Sequence, residues 1–243
     1  NVLVYQNADG GWPNNVDWQA HIDPDTVRAI KGERRMVSTF DNHNTFTQID
    51  YLANVYIATG LDRYQIAVEK GLHYVFREQR PTGGWRGWDV DAITYNDGVM
   101  IGVMTLLRDV VDGKSQFAWV SDDLRNRAKA SLDHAMDATL RCQIVVDGKK
   151  TGWCQQHDHE TFEPVKARTY ELPSITAGQT ASIVRFLMAI EDPSPQVVDA
   201  IESAVRWFDE AKIEGIRLER VEIDPVRFKD HTATTDLVMV EDP

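Results

Sequence analysis

The sequence predicts an all-α protein, an (α/α)3 toroid of three helical hairpins carrying one small β-hairpin. Three observations predict it. Apolar residues recur at helical spacing in six segments, the segments fall into pairs parted by short turn signals, and a Gly-Trp turn recurs at Trp12, Trp85 and Trp153, 73 and 68 residues apart.

The elements follow in order after a polar, irregular opening that runs to about Ser38. Phe46, Ile49, Ala53 and Tyr56 share one face of a helix near 45–59, with Thr45 and Gln48 at capping-box spacing and a stop at Thr59-Gly60. Asp62 is a candidate N-cap for the next helix, in which Tyr64, Val68, Leu72, Val75 and Phe76 are helically spaced up to Pro81. The second pair places Val99, Val103, Leu106 and Val110 before Asp112-Gly113, then Leu124, Ala128, Leu132, Ala135 and Met136. The third has Ile183, Val184, Leu187 and Met188, a Ser194-Pro195 cap-and-N1 signal, then Val198, Ile201, Val205 and Phe208. Strand signal is sparse. Its best instance runs from Cys142 to Cys154 around Gly148 and reads as a β-hairpin, with the two cysteines opposite each other, either disulfide-bonded or packed as thiols.

With 243 residues, 42% of them hydrophobic, the chain can bury a sizeable core, and no linker divides it, so residues 1–243 read as one domain. A formal charge of −12 argues against nucleic acid as a partner. No apolar run is long enough to span a membrane. Asn1 opens no signal-peptide pattern, and the abrupt start leads us to expect that flanking sequence has been removed.

Polar residues gather at the hairpin ends: Thr39 to Asn44, Ile93 to Asp97, Gln155 to Glu160 and Ala167 to Ser174. In a toroid such ends share a rim, and helix N-termini there favour anions. The Gly-Gly-Trp turns either line that cleft with indoles or plug the hairpin ends. His157-Asp158-His159 lacks the spacing of a zinc site. The oxygens of Asp41, Asn42 and Asp97 suit Ca²⁺, in a site that stays weak until a ligand adds oxygens of its own; the alternative for Asp41 and Asp97 is helix N-capping.

Six segments together, Gly10-Gly11-Trp12-Pro13-Asn14-Asn15, Thr39-Phe40-Asp41-Asn42, Gly83-Gly84-Trp85, Ile93-Thr94-Tyr95-Asn96-Asp97, Trp153 to Asp158 and Ala167 to Ser174, resemble in type and order the pectate lyases of polysaccharide lyase family 10. That resemblance, which covers nearly the whole chain, implies a Ca²⁺-dependent lyase that cleaves polygalacturonate by β-elimination. It implies Arg168 as the base, and Asp41 and Asp97 around metal and substrate, with Asp41 among the catalytic groups. Trp12, Asn42, Trp85, Asn96, Trp153, His157 and Glu171 are the corresponding sugar-binding candidates. An arginine base, with a free pKa above about 12, needs neighbouring cations to favour its neutral form; the structural alternative for Arg168 is an ion pair with Glu163 or Glu171. Pectin oligosaccharides are the expected partners, and a monomer in a secreted or periplasmic setting is expected. Family members often carry lysine where Asn14 stands, aspartate at Gly98 and a Glu-Ser pair near Gln179-Thr180, and their pattern continues past Pro243 into a segment whose arginine helps hold substrate. These departures raise the alternative of a lyase-derived module that binds pectate without cleaving it. Gln6 to Trp12 also has the form of a terpene-cyclase turn, but no acidic cluster for carbocation chemistry accompanies it.

Overall fold

The computed structural model of the chain describes residues 2–14, 16–17, 23–30, 36–227 and 232–242; Asn15, which closes the first Gly-Gly-Trp segment, lies outside them. The chain divides into two compact units, Asn1–Ala204 and Val205–Pro243, where the sequence reads as one.

In the first unit two short helices, α1 (Val2–Tyr5) and α2 (Pro24–Ile30), precede the hairpins. The first hairpin is α3 (Phe46–Thr59) and α4 (Asp62–Glu78). After β1 (Ile93–Thr94) comes the second, α5 (Val99–Val111) and α6 (Asp122–Arg141). Three short strands follow, β2 (Val145–Val146), β3 (Lys149–Lys150) and β4 (Gln156–His157), then α7 (Ala177–Met188) and α8 (Pro195–Ala211), whose last turns belong to the second unit. α3 packs on α4 and α5 on α6, while α5 also touches α3 and α7. The first helices of the pairs therefore face one another, as a helical toroid requires.

Local signals decide most boundaries. Gly60 ends α3 in the left-handed region (φ +64°) and returns its N–H to Tyr56 O at 2.7 Å. Ser194 caps α8 through a 3.4 Å bond from Val197 N–H, with Pro195 at the first helical position. Two expected caps do not form. Leu61, not Asp62, occupies the N-cap of α4, and the Thr45 hydroxyl is spent elsewhere, on the turn that holds Trp12.

That turn is built three times from the same bonds. The amide of Gln6 donates to Gly10 O at 2.9 Å and to Ala67 O in α4 at 2.8 Å. Gln79 donates to Gly83 O and to Ser131 O in α6, and Gln143 to Thr151 O and to Ala200 O in α8. Each glutamine thus staples a turn to the second helix of the following hairpin. The indole N–H groups of Trp12, Trp85 and Trp153 donate to Val2 O, Val75 O and Thr139 O at 2.8, 2.9 and 2.8 Å, and all three rings are fully buried. These tryptophans are core plugs and do not line a cleft: at on the order of 200 Å² and 25 cal/mol per Å², each contributes about 5 kcal/mol of burial as an upper bound. The neighbouring glycines are obligatory where chains touch. A Cβ on Gly10 or Gly83, both at φ near +100°, would lie 2.2 Å from Lys70 O or His134 O.

The β-hairpin forms as the sequence predicts, with Asp147 (φ +50°) and Gly148 (φ +76°) as its two turn residues. Because Val145 faces Lys150 and Val146 faces Lys149, Cys142 falls in register with Trp153 and not with Cys154. Both cysteines are buried free thiols, which removes the disulfide reading.

The second unit contains β5 (Ile216–Arg227) and β6 (Thr232–Glu241), an antiparallel ribbon running from the Ile216–Glu241 pair to Arg227–Thr232. Its register slips between Glu222 and Val226, where Pro225 has no N–H to give. The sequence reading holds no strand here.

Candidate active site

Each Trp turn also fixes where a site segment starts. Trp12 O accepts the N–H of Thr39 and Trp85 O that of Thr94, both at 3.0 Å. Three residues beyond each threonine the backbone enters the left-handed region, at Asn42 (φ +52°) and Asp97 (φ +49°), inside two short 3-10 turns, Asp41–His43 and Asn96–Gly98, that touch each other. His43 (φ +61°) and Gly98 (φ +72°) also have positive φ, as does Thr45 (φ +63°), whose ψ of −58° sets it in a different region. Non-glycine residues held there cost on the order of 1–3 kcal/mol each, a form of strain that collects at functional sites. Neither aspartate caps a helix: the N-cap of the Asp41 turn is Phe40 and that of α5 is Gly98.

The two turns set carboxylates against one another. Burial, then the charges of Asp97 and Asp89, pushes the Asp41 carboxyl up to about 6, against the opposing pull of Arg168 and the Trp88 backbone amide. Asn42 donates to Asp41 at 3.3 Å and Asn96 to Asp97 at 3.2 Å. Asn96 lies next to β1, whose antiparallel pairing with β4 joins Ile93 to His157, and Tyr95 and Asn96 donate their N–H groups to Gln155 O. This small ribbon carries the segment that follows β4 toward the aspartates.

That segment supplies the cation. Glu171 Oε1 accepts from Asn96 Nδ2 at 3.0 Å and from Arg168 Nη2 at 2.5 Å, and Arg168 Nε lies 3.5 Å from Asp89. Gln179 completes the chain with a 3.4 Å bond to Asn96. Glu171 is nearly enclosed, and its bond to Arg168 holds it below the usual carboxylate range while raising the guanidinium. Of the two ion pairs open to Arg168, the one with Glu171 forms. Its effect is opposite to the neutralisation a base requires.

The structure therefore brings together Asp41, Asn42, Asn96, Asp97, Arg168 and Glu171. It adds Asp89, which the sequence reading missed, and Gln179, which that reading named only as the place of a family Glu-Ser pair; the adjacency of Asp89 to the second Gly-Gly-Trp turn was the available signal. It does not bring in Trp12, Trp85, Trp153 or His157. His157 is fully buried, its Nδ1–H donating to Phe162 O at 2.8 Å and its Nε2 accepting from Cys154 N–H at 3.0 Å. Burial lowers its pKa to about 4, so it is a neutral pin for its own loop. Among the described residues no three acidic, histidine or cysteine side chains converge closely enough to hold a metal alone. Asp41 and Asp97, oxygen donors under mutual repulsion, fit a hard cation whose remaining ligands come from outside the protein.

A cavity of about 620 Å³ opens beside Asp97 and His43 between α3, α5 and α7. A second, of about 370 Å³, lies between residues 37–40, which lead into Asp41, and residues 86–88.

The chain matches the pectic acid lyase family over residues 6–236. Among solved structures it is similar to a family 10 polysaccharide lyase from Cellvibrio cellulosa, at 29% identity and a TM-score of 0.78 over 88% of this chain and 67% of that one. It is also similar to an aspartate-to-alanine mutant of a family 10 lyase from the same organism in complex with trigalacturonic acid, at 29% identity and a TM-score of 0.75 over 86% of this chain and 65% of that one. The chain thus spans about two thirds of the length of these structures. No curated protein matches it.

Proposed function

Because the chain belongs to the pectic acid lyase family, we propose that it cleaves polygalacturonate by β-elimination with Ca²⁺. The observation that carries the reading is the cluster in which Asp41, with a carboxyl raised to about 6, meets the charges of Asp97, Asp89 and Arg168. The trigalacturonic acid held by the similar mutant lyase supports a uronate oligomer as the ligand. Asp41 and Asp97 would hold the Ca²⁺, and the substrate's own carboxylate would complete its shell. Bound there, the ion supplies charge neutralisation of that carboxylate, which makes the C5 proton of the uronate removable.

The rest is the work of side chains. Arg168 takes the C5 proton, the C–H electrons form the C4–C5 double bond, and O4 leaves with the electron pair of the C4–O4 bond and gains a proton from water. Arg168 performs this only when released from Glu171, whose buried carboxylate otherwise keeps the guanidinium charged. Asn42 and Asn96 orient the aspartates on which the uronate is held. A substrate of plant-wall type places the protein outside the cytoplasm.

Incubation with polygalacturonate and Ca²⁺ is expected to raise the ultraviolet absorbance of an unsaturated uronide, and EDTA to abolish the rise. Arg168→Ala is expected to lower kcat by at least about a thousandfold with pectate binding retained. A flat trace from folded protein that still retards in a pectate gel selects the second reading, a non-catalytic pectate-binding module. The Arg168–Glu171 pair favours that reading, since it opposes a neutral guanidinium.

A further inference from the structure

We propose that Trp88 and Arg86 form a sugar subsite beside Asp41, which holds the next uronate ring of a bound oligogalacturonate. The inference rests on the uronate reading above and extends it to residues that no motif assigned.

The 370 Å³ cavity is bounded by the two segments that hold Asp41. Phe40 immediately precedes the aspartate, and Gly87 approaches so closely that a Cβ there would lie 3.2 Å from Asp41 Oδ1. The Trp88 backbone amide favours the ionised Asp41 carboxylate, while the Trp88 side chain lines the cavity. A chain of sugars that runs from Asp41 past Gly87 would enter that cavity. Its volume lies at the small end of the roughly 300–1,000 Å³ typical of ligand sites and suits one ring.

Trp88 differs from the tryptophans that plug the fold. Trp12, Trp85, Trp119 and Trp153 all give their indole N–H to a backbone carbonyl at 2.7–2.9 Å. Trp88 is partly exposed, and among the described residues its indole N–H has no partner. An indole face carries the negative side of a quadrupole and attracts the C–H edge of a sugar ring, and a free N–H at its rim offers a hydroxyl a donor.

Arg86 supplies the charge. Its Nε donates to Gly87 O at 3.1 Å and its Nη2 to Trp88 O at 3.0 Å, which fixes the guanidinium on the Trp88 loop and leaves Nη1 with both hydrogens to give. It is exposed and forms no ion pair among the described residues. Glu78, the carboxylate that lines the same cavity, is already paired with Arg77 at 3.1 Å. A planar cation of this kind is the side chain suited to a carboxylate.

Isothermal titration of the full chain with hexagalacturonate in Ca²⁺ tests this without relying on turnover. Trp88→Ala and Arg86→Gln are each expected to weaken binding about tenfold with melting temperature preserved, and Trp88→Phe to retain most of the affinity. Wild-type binding that both variants retain unchanged would overturn the subsite and leave the uronate reading standing. Absence of binding by the wild-type chain would overturn both.

Discussion

Asp41 carries two opposed demands: it must be ionised to hold a cation, yet its surroundings resist ionisation. Its carboxyl, raised from 3.8 to about 6, binds a proton more readily in the fold than in the unfolded chain. The stability linked to it is therefore present in full below about pH 4 and is lost as the pH rises through 6. In EDTA, Asp41→Asn is expected to raise the melting temperature by a few degrees at pH 8 and to match the wild type near pH 4; equal melting curves at pH 8 would contradict the repulsion. His157 has the reverse sign: lowered to about 4 from 6.5, it costs stability as the pH falls from about 6.5 toward 4. The convergence of Asp41 and Asp97 was readable from the sequence because both stand in polar hairpin ends, which a helical toroid gathers on one rim. The burial of His157 was not, because both of its bonds are to backbone atoms of its own loop, an arrangement that sequence spacing alone does not specify.

At the scale of elements, the three Gln-stapled turns hold the hairpins together. Gln79→Ala would leave Gly83 O and Ser131 O without their donor and is expected to destabilise by about 2–4 kcal/mol in denaturant unfolding. Gly83→Ala should cost more, because its Cβ would meet His134 O at 2.2 Å and φ is +102°. Gly178→Ala, a helical position in α7 with open space around it, is expected to stabilise by about 0.5–1 kcal/mol. Six helices were legible from periodicity, since each buries one stripe, as Val68, Leu72 and Val75 do in α4. The recurrence of Trp12, Trp85 and Trp153 was legible too, but not their place in the core. That is decided by carbonyls of preceding helices and by the stapling glutamines, partners 10 to 61 residues away. The β5–β6 ribbon escaped for another reason. Ile216, Leu218, Val221 and Ile223 do alternate with charged residues in β5, but Pro225 interrupts the run, and a proline within a run argues against a strand.

For the whole molecule, the two units differ in how they are held. The helical unit closes around a continuous buried core that includes Met100, Met104, Leu107 and the three indoles. The ribbon leaves Leu218, Leu237 and Met239 exposed, and a lone two-stranded ribbon is marginal in water. Hydrogen exchange is expected to leave the amides of α5 protected longest and to exchange those of β5 and β6 orders of magnitude faster; equal protection would mean that the ribbon draws support from other contacts. One asymmetry among the staples has a practical consequence. Glutamine reaches a carbonyl four residues on in the first two turns but eight residues on in the third, where β2 and β3 are looped out between the bonded ends. The clamp therefore tolerates a longer path between its two anchor points. The exposed tip of the β2–β3 loop, at Asp147-Gly148, is thus the natural port for grafting a foreign peptide onto the scaffold.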